Sequence, residues 1–166
     1  MAKLLATRTT QRIQTAEFAF NFSDYVTDSV ALNKVTLGST VAVADPAGAV
    51  AGLAGAVANT ITFDAIPMPV GAVIMGGAVI VETAVAGSTA YTVSLGTAGN
   101  LTTLASAVDG KTAGRTALTL TSPMLSNGGQ NLRATIAYTV ANATAGKVRL
   151  RVDYTIDGKA DDVSIS

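Results

Sequence analysis

Three side chains are missing from this 166-residue sequence, and each absence removes a class of chemistry. Without cysteine there is no disulfide, no thiolate nucleophile and no thiolate metal ligand. Without histidine the commonest general base and the commonest metal ligand are gone, and a Ser-His-Asp triad is impossible. Without tryptophan, and with aromatics at 5%, the chain is poorly supplied with the exposed rings on which sugars stack. Charge is scarce as well. Asp, Glu, Lys and Arg make up 13% of residues, about half the usual ~25%. The 11 basic and 11 acidic residues cancel, so no bulk field draws nucleic acid or an anionic membrane surface. Freely diffusing proteins use charge to stay apart. A chain this poor in charge, with a hydrophobic content of 49%, reads as one that hides surface against a partner.

The polar residues that remain form no catalytic constellation. A Ser-Lys dyad needs a lysine in apolar surroundings, and no lysine has them. Glu17 and Glu82 are the only glutamates and sit on separate segments, while Asp161-Asp162 falls in a polar tail. "GTAGN" and "DGKTAGRT" lack the GxxxxGK[ST] pattern of a phosphate loop. Asp109-Gly110-Lys111 and Asp157-Gly158-Lys159 read as Asx-turns, and the scattered aspartates do not converge as a calcium site requires. Arg149 and Arg151, with Arg133, suggest either a basic stripe or the solvated face of a half-exposed strand. The expectation is no enzyme, no cofactor and no metal.

What is abundant is Thr, Val, Ala and Gly, a sheet-forming composition with many tight corners. "RIQTAEFAFNF" sets Phe18, Phe20 and Phe22 on one face of a strand and Glu17, Ala19 and Asn21 on the other. That stripe packs on its own domain or reaches a neighbouring subunit, and the three rings are the candidate inter-subunit contact. Val41–Asn59 is rich in Ala and Gly. It reads as a loop or two short strands beside a turn at Asp45-Pro46-Ala47-Gly48. From Ile61 the strand signals become regular: "TITFDAI", "AVIVETAV", "AYTVSLG", "TALTLTS", "NLRATIAYTV" and "KVRLRVDYTI". Val148, Leu150, Val152, Tyr154 and Ile156 face inward in the last of these, and Lys147, Arg149, Arg151 and Asp153 face outward. "STA", "TAGN", "SNGG" and "ATAG" supply corners between them.

The run "IPMPVGAVIMGGAVIVETAV", Ile66–Val85, carries no charge before Glu82. Pro67, Pro69, Gly71, Gly76 and Gly77 make it a poor membrane helix. It reads as an extended lead-in, a turn at Val70-Gly71, and one strand buried on both faces, with Gly76-Gly77 as a bulge or close backbone approach. "MAKLLATRTTQR" has too short an apolar patch for a signal peptide. The expected fold is all-β, an antiparallel, jelly-roll-like β-sandwich over 61–166, preceded by an extended N-terminal arm (1–40) and an Ala/Gly-rich loop region (41–60).

The succession "IPMPVGAVIMGGAVIVETA", "YTVSLGTAGN", "AVDGKTAGRTAL" and "TAGKVRLRVDY", spanning Ile61 to Tyr154, resembles the small capsid decoration (cement or head) proteins of tailed bacteriophages. The resemblance implies no reaction. It implies a structural protein made in the host cytoplasm and bound to the capsid exterior of the virion. Its partners would be the major capsid protein and itself, as a homotrimer or homodimer, with no nucleic acid and no membrane. A tail-fibre or other receptor- or carbohydrate-binding module is the alternative, and a pilus or surface-layer subunit a further one.

Overall fold

A computed structural model describes residues 12–30, 32, 34–38, 43–45, 48–50, 59–120, 124–125, 129–139 and 142–156. It contains thirteen strands: β1 (Gln14–Asn21), β2 (Tyr25–Thr27), β3 (Lys34–Thr36), β4 (Val43–Asp45), β5 (Gly48–Val50), β6 (Asn59–Ile66), β7 (Ala72–Ala86), β8 (Ala90–Gly96), β9 (Ala105–Asp109), β10 (Gly114–Ala117), β11 (Met124–Leu125), β12 (Leu132–Thr139) and β13 (Ala145–Ile156). One sheet has the order β1-β13-β7-β10, with β11 also on β7, and the other has the order β6-β12-β8-β9. All pairings in both sheets are antiparallel. A five-stranded and a four-stranded layer, with the chain crossing repeatedly between them, make a jelly-roll-like sandwich.

The period-two pattern explains the layers. In β12, Leu132, Ala134, Ile136 and Tyr138 are buried while Arg133, Thr135 and Ala137 are half exposed. In β13, Val148, Leu150 and Val152 are buried and the charged residues between them are not. The alternation breaks at a register shift between Asp153 and Tyr154. Thr155 is buried there, and Tyr154 and Ile156 are only half buried. The inward residues of both sheets meet in one core around Phe20, Phe63, Val79, Tyr91, Ile136 and Leu150. Tyr91 and Tyr138 stack at 5.9 Å, and the Tyr91 hydroxyl donates to the Leu37 carbonyl at 3.3 Å. Burial pushes both phenols well above their ordinary pKa, Tyr138 adding to the shift at Tyr91.

The uncharged run is a strand, and no described helix is long and apolar enough to cross a membrane. Val70 and Gly71 form the expected turn, with Gly71 at φ 78° and the Ala72 N–H bonded to the Pro69 carbonyl. Gly77 has φ 145°, and a Cβ there would lie 2.1 Å from the Arg151 carbonyl oxygen, so β7 and β13 approach closely at this point. Burial on both faces does not hold. Ile74, Val79, Val81 and Val85 are buried, but on the other side Val73, Ile80 and Ala84 are half exposed and Met75 is 54% exposed. No described element covers that outer face.

Two further expectations differ from the structure, and a third reading finds its strands. The strand expected over "TALTLTS" is Gly114–Ala117, four residues long and exposed. Leu118 and Leu120 follow it and pack on the core, because the Leu118 and Thr119 N–H groups bond to Gly77 and Leu104 across the sandwich. Residues 14–21, placed in a separate arm by sequence, are an integral strand: β1 pairs with β13 from Gln14↔Tyr154 to Asn21↔Lys147 without a break in register. Within the Ala/Gly-rich region, β4 and β5 pair around the Asp45–Gly48 corner. Residues 1–11, 51–58, Val140 and the Asp157–Lys159 and Asp161-Asp162 motifs lie outside the described residues.

Candidate functional site

Among the described residues no three acidic side chains gather as a metal site would need. Asp109 is the Asx-turn its sequence suggested. Its carboxylate accepts the Lys111 N–H at 2.9 Å and the Thr112 hydroxyl at 2.8 Å, and the Lys111 bond chiefly holds its pKa below the ordinary value. The arginines make no basic stripe. Arg149 pairs with Glu17 and Glu82, and Arg151 pairs with Asp153. Arg133 lies in the other sheet, on Asp64. Glu82 also takes Lys147, whose hydrogen bond is the main cause of its lowered pKa. Arg133, Arg149 and Arg151 each therefore lie against an acidic neighbour.

The three phenylalanines turn inward. Phe20 is 2% exposed, and Phe18 and Phe22 are half buried against the core. Phe18, Phe20 and Phe63 form a triangle with ring centres 5.8–6.1 Å apart, Phe20 edge-on to Phe63. Their rings stitch β1 to β6 across the two sheets. The stripe thus packs on its own domain, one of the two readings that the sequence allowed, with Phe18 and Phe22 still partly exposed.

A second feature lies on the side of the sandwich between the edge strands β1 and β6. The hairpin of β2 and β3 crosses it, buries Val35, Thr36 and Leu37, and carries Lys34 over the Tyr25 ring at 5.1 Å. The connecting loop is tied down. Asp28 is buried, its carboxylate accepts the Val30 N–H at 2.7 Å, and its carbonyl accepts the Leu32 N–H at 2.8 Å. The Ser29 N–H donates to the Thr62 carbonyl on β6 at 2.6 Å. Held this way, Val30 is 76% and Leu32 79% exposed, and Leu32 sits at φ 56°. A leucine in the left-handed region costs roughly 1–2 kcal/mol. Such strain persists only where surrounding bonds over-determine it.

Below the loop lies a groove of about 470 Å³ with Phe18, Tyr25, Leu32 and Phe63 on its apolar side and Asp64 and Arg133 on its polar side. Arg133 Nε donates to Asp64 Oδ1 at 2.9 Å, and Asn131 Nδ2 donates to Asp64 Oδ2 at 3.2 Å. Partial burial opposes ionisation of Asp64, but the bonds from Asn131, Arg133 and Ser29 outweigh it and lower the pKa. The groove thus offers an apolar wall, a fixed ion pair and an overhanging aliphatic pair, which suits a protein surface better than a reacting small molecule. No ring is free as a sugar platform on both faces: Tyr91 and Tyr138 are buried, Tyr154 packs on the core and Tyr25 lies under Lys34.

No family model matches the chain, and no curated protein does. Among solved structures it matches a chain of the cyanophage Pam1 capsid asymmetric unit. That match has 20% identity over 93% of this chain and 94% of the other, with a TM-score of 0.49.

Sequence reading missed this site. Val30 and Leu32 look like ordinary core residues in "DSVALNK", and their flanking strands have three residues each, too few to show a period. The buried Asp28 was the available signal, an aspartate two residues before an apolar residue, as in an Asx-turn.

Proposed function

We propose that this protein is a structural component of a tailed-phage particle, attached to the outside of the capsid shell, where it stabilises contacts between major capsid subunits. The reading rests on the sequence resemblance together with one observation: Val30 and Leu32 are held out in solvent by a loop that spends backbone strain and a buried aspartate to keep them there. A solvent-facing aliphatic pair over an apolar groove marks an interaction surface. The jelly-roll-like sandwich is also an architecture that viral capsid domains use, an analogy at the level of the fold alone. In this reading the loop inserts between capsid subunits and the Asp64–Arg133 pair sets polar contacts at the rim.

Co-sedimentation tests it. The protein should pellet with purified capsids of a tailed phage and stay in the supernatant alone or with host cells. The double variant Val30→Ser, Leu32→Ser should keep its circular dichroism spectrum and lose the capsid pellet. Capsid binding unchanged in the double variant would remove the loop from the contact, and pelleting with cells in place of capsids would favour a receptor-binding role.

A further inference from the structure

We infer that the free edge of β1 pairs with β1 of a second copy of this chain, antiparallel and across a two-fold axis. The argument begins with the direction of backbone groups. The Phe22 N–H bonds to the carbonyl of Gly146, the residue next in the β1–β13 register. Even-numbered residues of β1 therefore form the hydrogen-bonded pairs with β13, and odd-numbered ones aim their N–H and C=O groups away from it. Asn21 agrees: its N–H goes to the Asp24 carboxylate at 2.7 Å and its carbonyl takes the Asp24 N–H at 3.1 Å, both outside the sheet. Asp24 caps the far end of the edge. Thr15, Glu17 and Ala19 are left presenting their backbone groups outward, with no hydrogen-bonding partner for them among the described residues.

The other sheet edges are blunted in ways natural proteins use. β10 has four residues, one of them Arg115. β9 has a register shift against β8 and a positive φ at Ala107. β6 is met by the Ser29 N–H. β1 has none of these devices: eight residues, regular, without glycine, proline or lysine. An edge of this kind is a template for strand addition.

Charge selects the occupant and the register. The chain has no net charge, so two copies do not repel as wholes. Inward residues must meet inward residues, so odd positions pair with odd positions. Centring the axis on Glu17 would set two carboxylates directly opposite, which is unfavourable. Centring it on Phe18 sets Glu17 opposite Ala19 of the second copy. Ala19 already lies opposite Arg149 in its own sheet. Each Glu17 then runs in one row with Arg151 on its own side and an Arg149 across the small Ala19. The two sheets join into one, with complementary charge along the seam.

Analytical ultracentrifugation of the isolated protein tests the pairing without reference to capsids. The wild type is expected as a dimer, and Ala19→Glu, which sets a second carboxylate directly opposite Glu17 of the other copy while facing Arg149 in its own sheet, as a monomer with an unchanged circular dichroism spectrum. A monomeric or trimeric wild type overturns the inference, since one two-fold edge closes with two copies, and so does a dimeric Ala19→Glu. The register has its own test in a chain with no native cysteine. Mixing Glu17→Cys with Ala19→Cys under mild oxidation should give a disulfide-linked heterodimer, because directly opposite residues bring their Cα atoms within disulfide range. Neither variant alone should cross-link, and failure of the mixed pair, or efficient linking of Glu17→Cys with itself, overturns the register.

Discussion

Replacing Phe20 by alanine separates a core role for the aromatic stripe from an arm role. The ring is 2% exposed and touches Phe18 and Phe63 at centroid distances of 6.1 and 6.0 Å, edge-on to the latter. Burial of a side chain this size is worth about 1.5–3 kcal/mol. An aromatic pair adds about 0.5–1.5 kcal/mol, and the cavity left behind adds more. Together these place Phe20→Ala at about 3–5 kcal/mol, the usual range for a buried phenylalanine. With a urea m-value of about 2 kcal/mol/M, the unfolding midpoint should drop by about 1.5–2.5 M. The assay is equilibrium urea unfolding followed by circular dichroism, with the m-value checked for constancy. A total stability of about 5–15 kcal/mol leaves a measurable folded population at zero denaturant in most of that range. A loss below about 1 kcal/mol, with self-association abolished, would refute the core placement and restore the rings to a contact between subunits. Deletion of residues 1–24 should likewise unfold the sandwich, because it removes a strand paired along its whole length with β13.

Val152→Asp should cost about 4 kcal/mol or more, because a charge would stand unpaired at a fully buried site, while Arg151→Ala next to it should stay within about ±0.5 kcal/mol; equal effects in urea unfolding would reverse the face assignment. The adjacent glycines should differ in the same assay. Gly77→Ala, at φ 145° and against the Arg151 carbonyl, should destabilise by more than about 1 kcal/mol, and Gly76→Ala, with open space around its Cβ, should be neutral or stabilise by up to about 1 kcal/mol. Stability against pH should form a plateau, since no histidine titrates in the middle range. Asp64, Glu82 and Asp109 have pKa values lowered from 3.8, 4.5 and 3.8, so their contribution is present above those unfolded values and is lost as pH falls through the lower folded ones. Tyr91 and Tyr138 are raised from 10.0, so their contribution is present below that value and is lost as pH rises beyond it. Thermal unfolding scans from pH 2 to 11 check both limbs, and a transition near neutrality would contradict the assignment.

The strands legible in the sequence are those whose two faces meet different surroundings. In β12 and β13 one face lies in the core and the other in water, so apolar and polar residues alternate and the period is plain. β9 was not legible: Ala105–Asp109 has the burial order buried, exposed, exposed, buried, exposed, because a register shift and the positive φ at Ala107 turn the chain mid-strand. β10 was displaced because Leu118 and Leu120 alternate like a strand while bridging between sheets. The place of β1 depends on pairing with residues at the opposite end of the chain, which no local pattern carries. The loop at Val30 and Leu32 was hidden for a different reason. An apolar residue reads as buried by default, and only the tertiary bonds from Asp28 and Ser29 turn these two outward.

The sheet order has a consequence for synthesis. Every strand that pairs with β7, namely β10, β11 and β13, lies later in the chain. The ribosome must add roughly 70 residues after Ala86 before Ile156 appears, a delay of about 4–14 s at roughly 5–20 residues per second. Until β10 and β11 emerge this apolar strand, with a valine, isoleucine and alanine run on either side of its glycines, has no pairing strand, and until β13 follows its longest partner is missing. Unpaired strand edges of this kind are what aggregation acts on. The nascent protein is therefore most vulnerable between the emergence of β7 and the completion of β13, and a holdase bound near Ala72–Ala86 would act in that window.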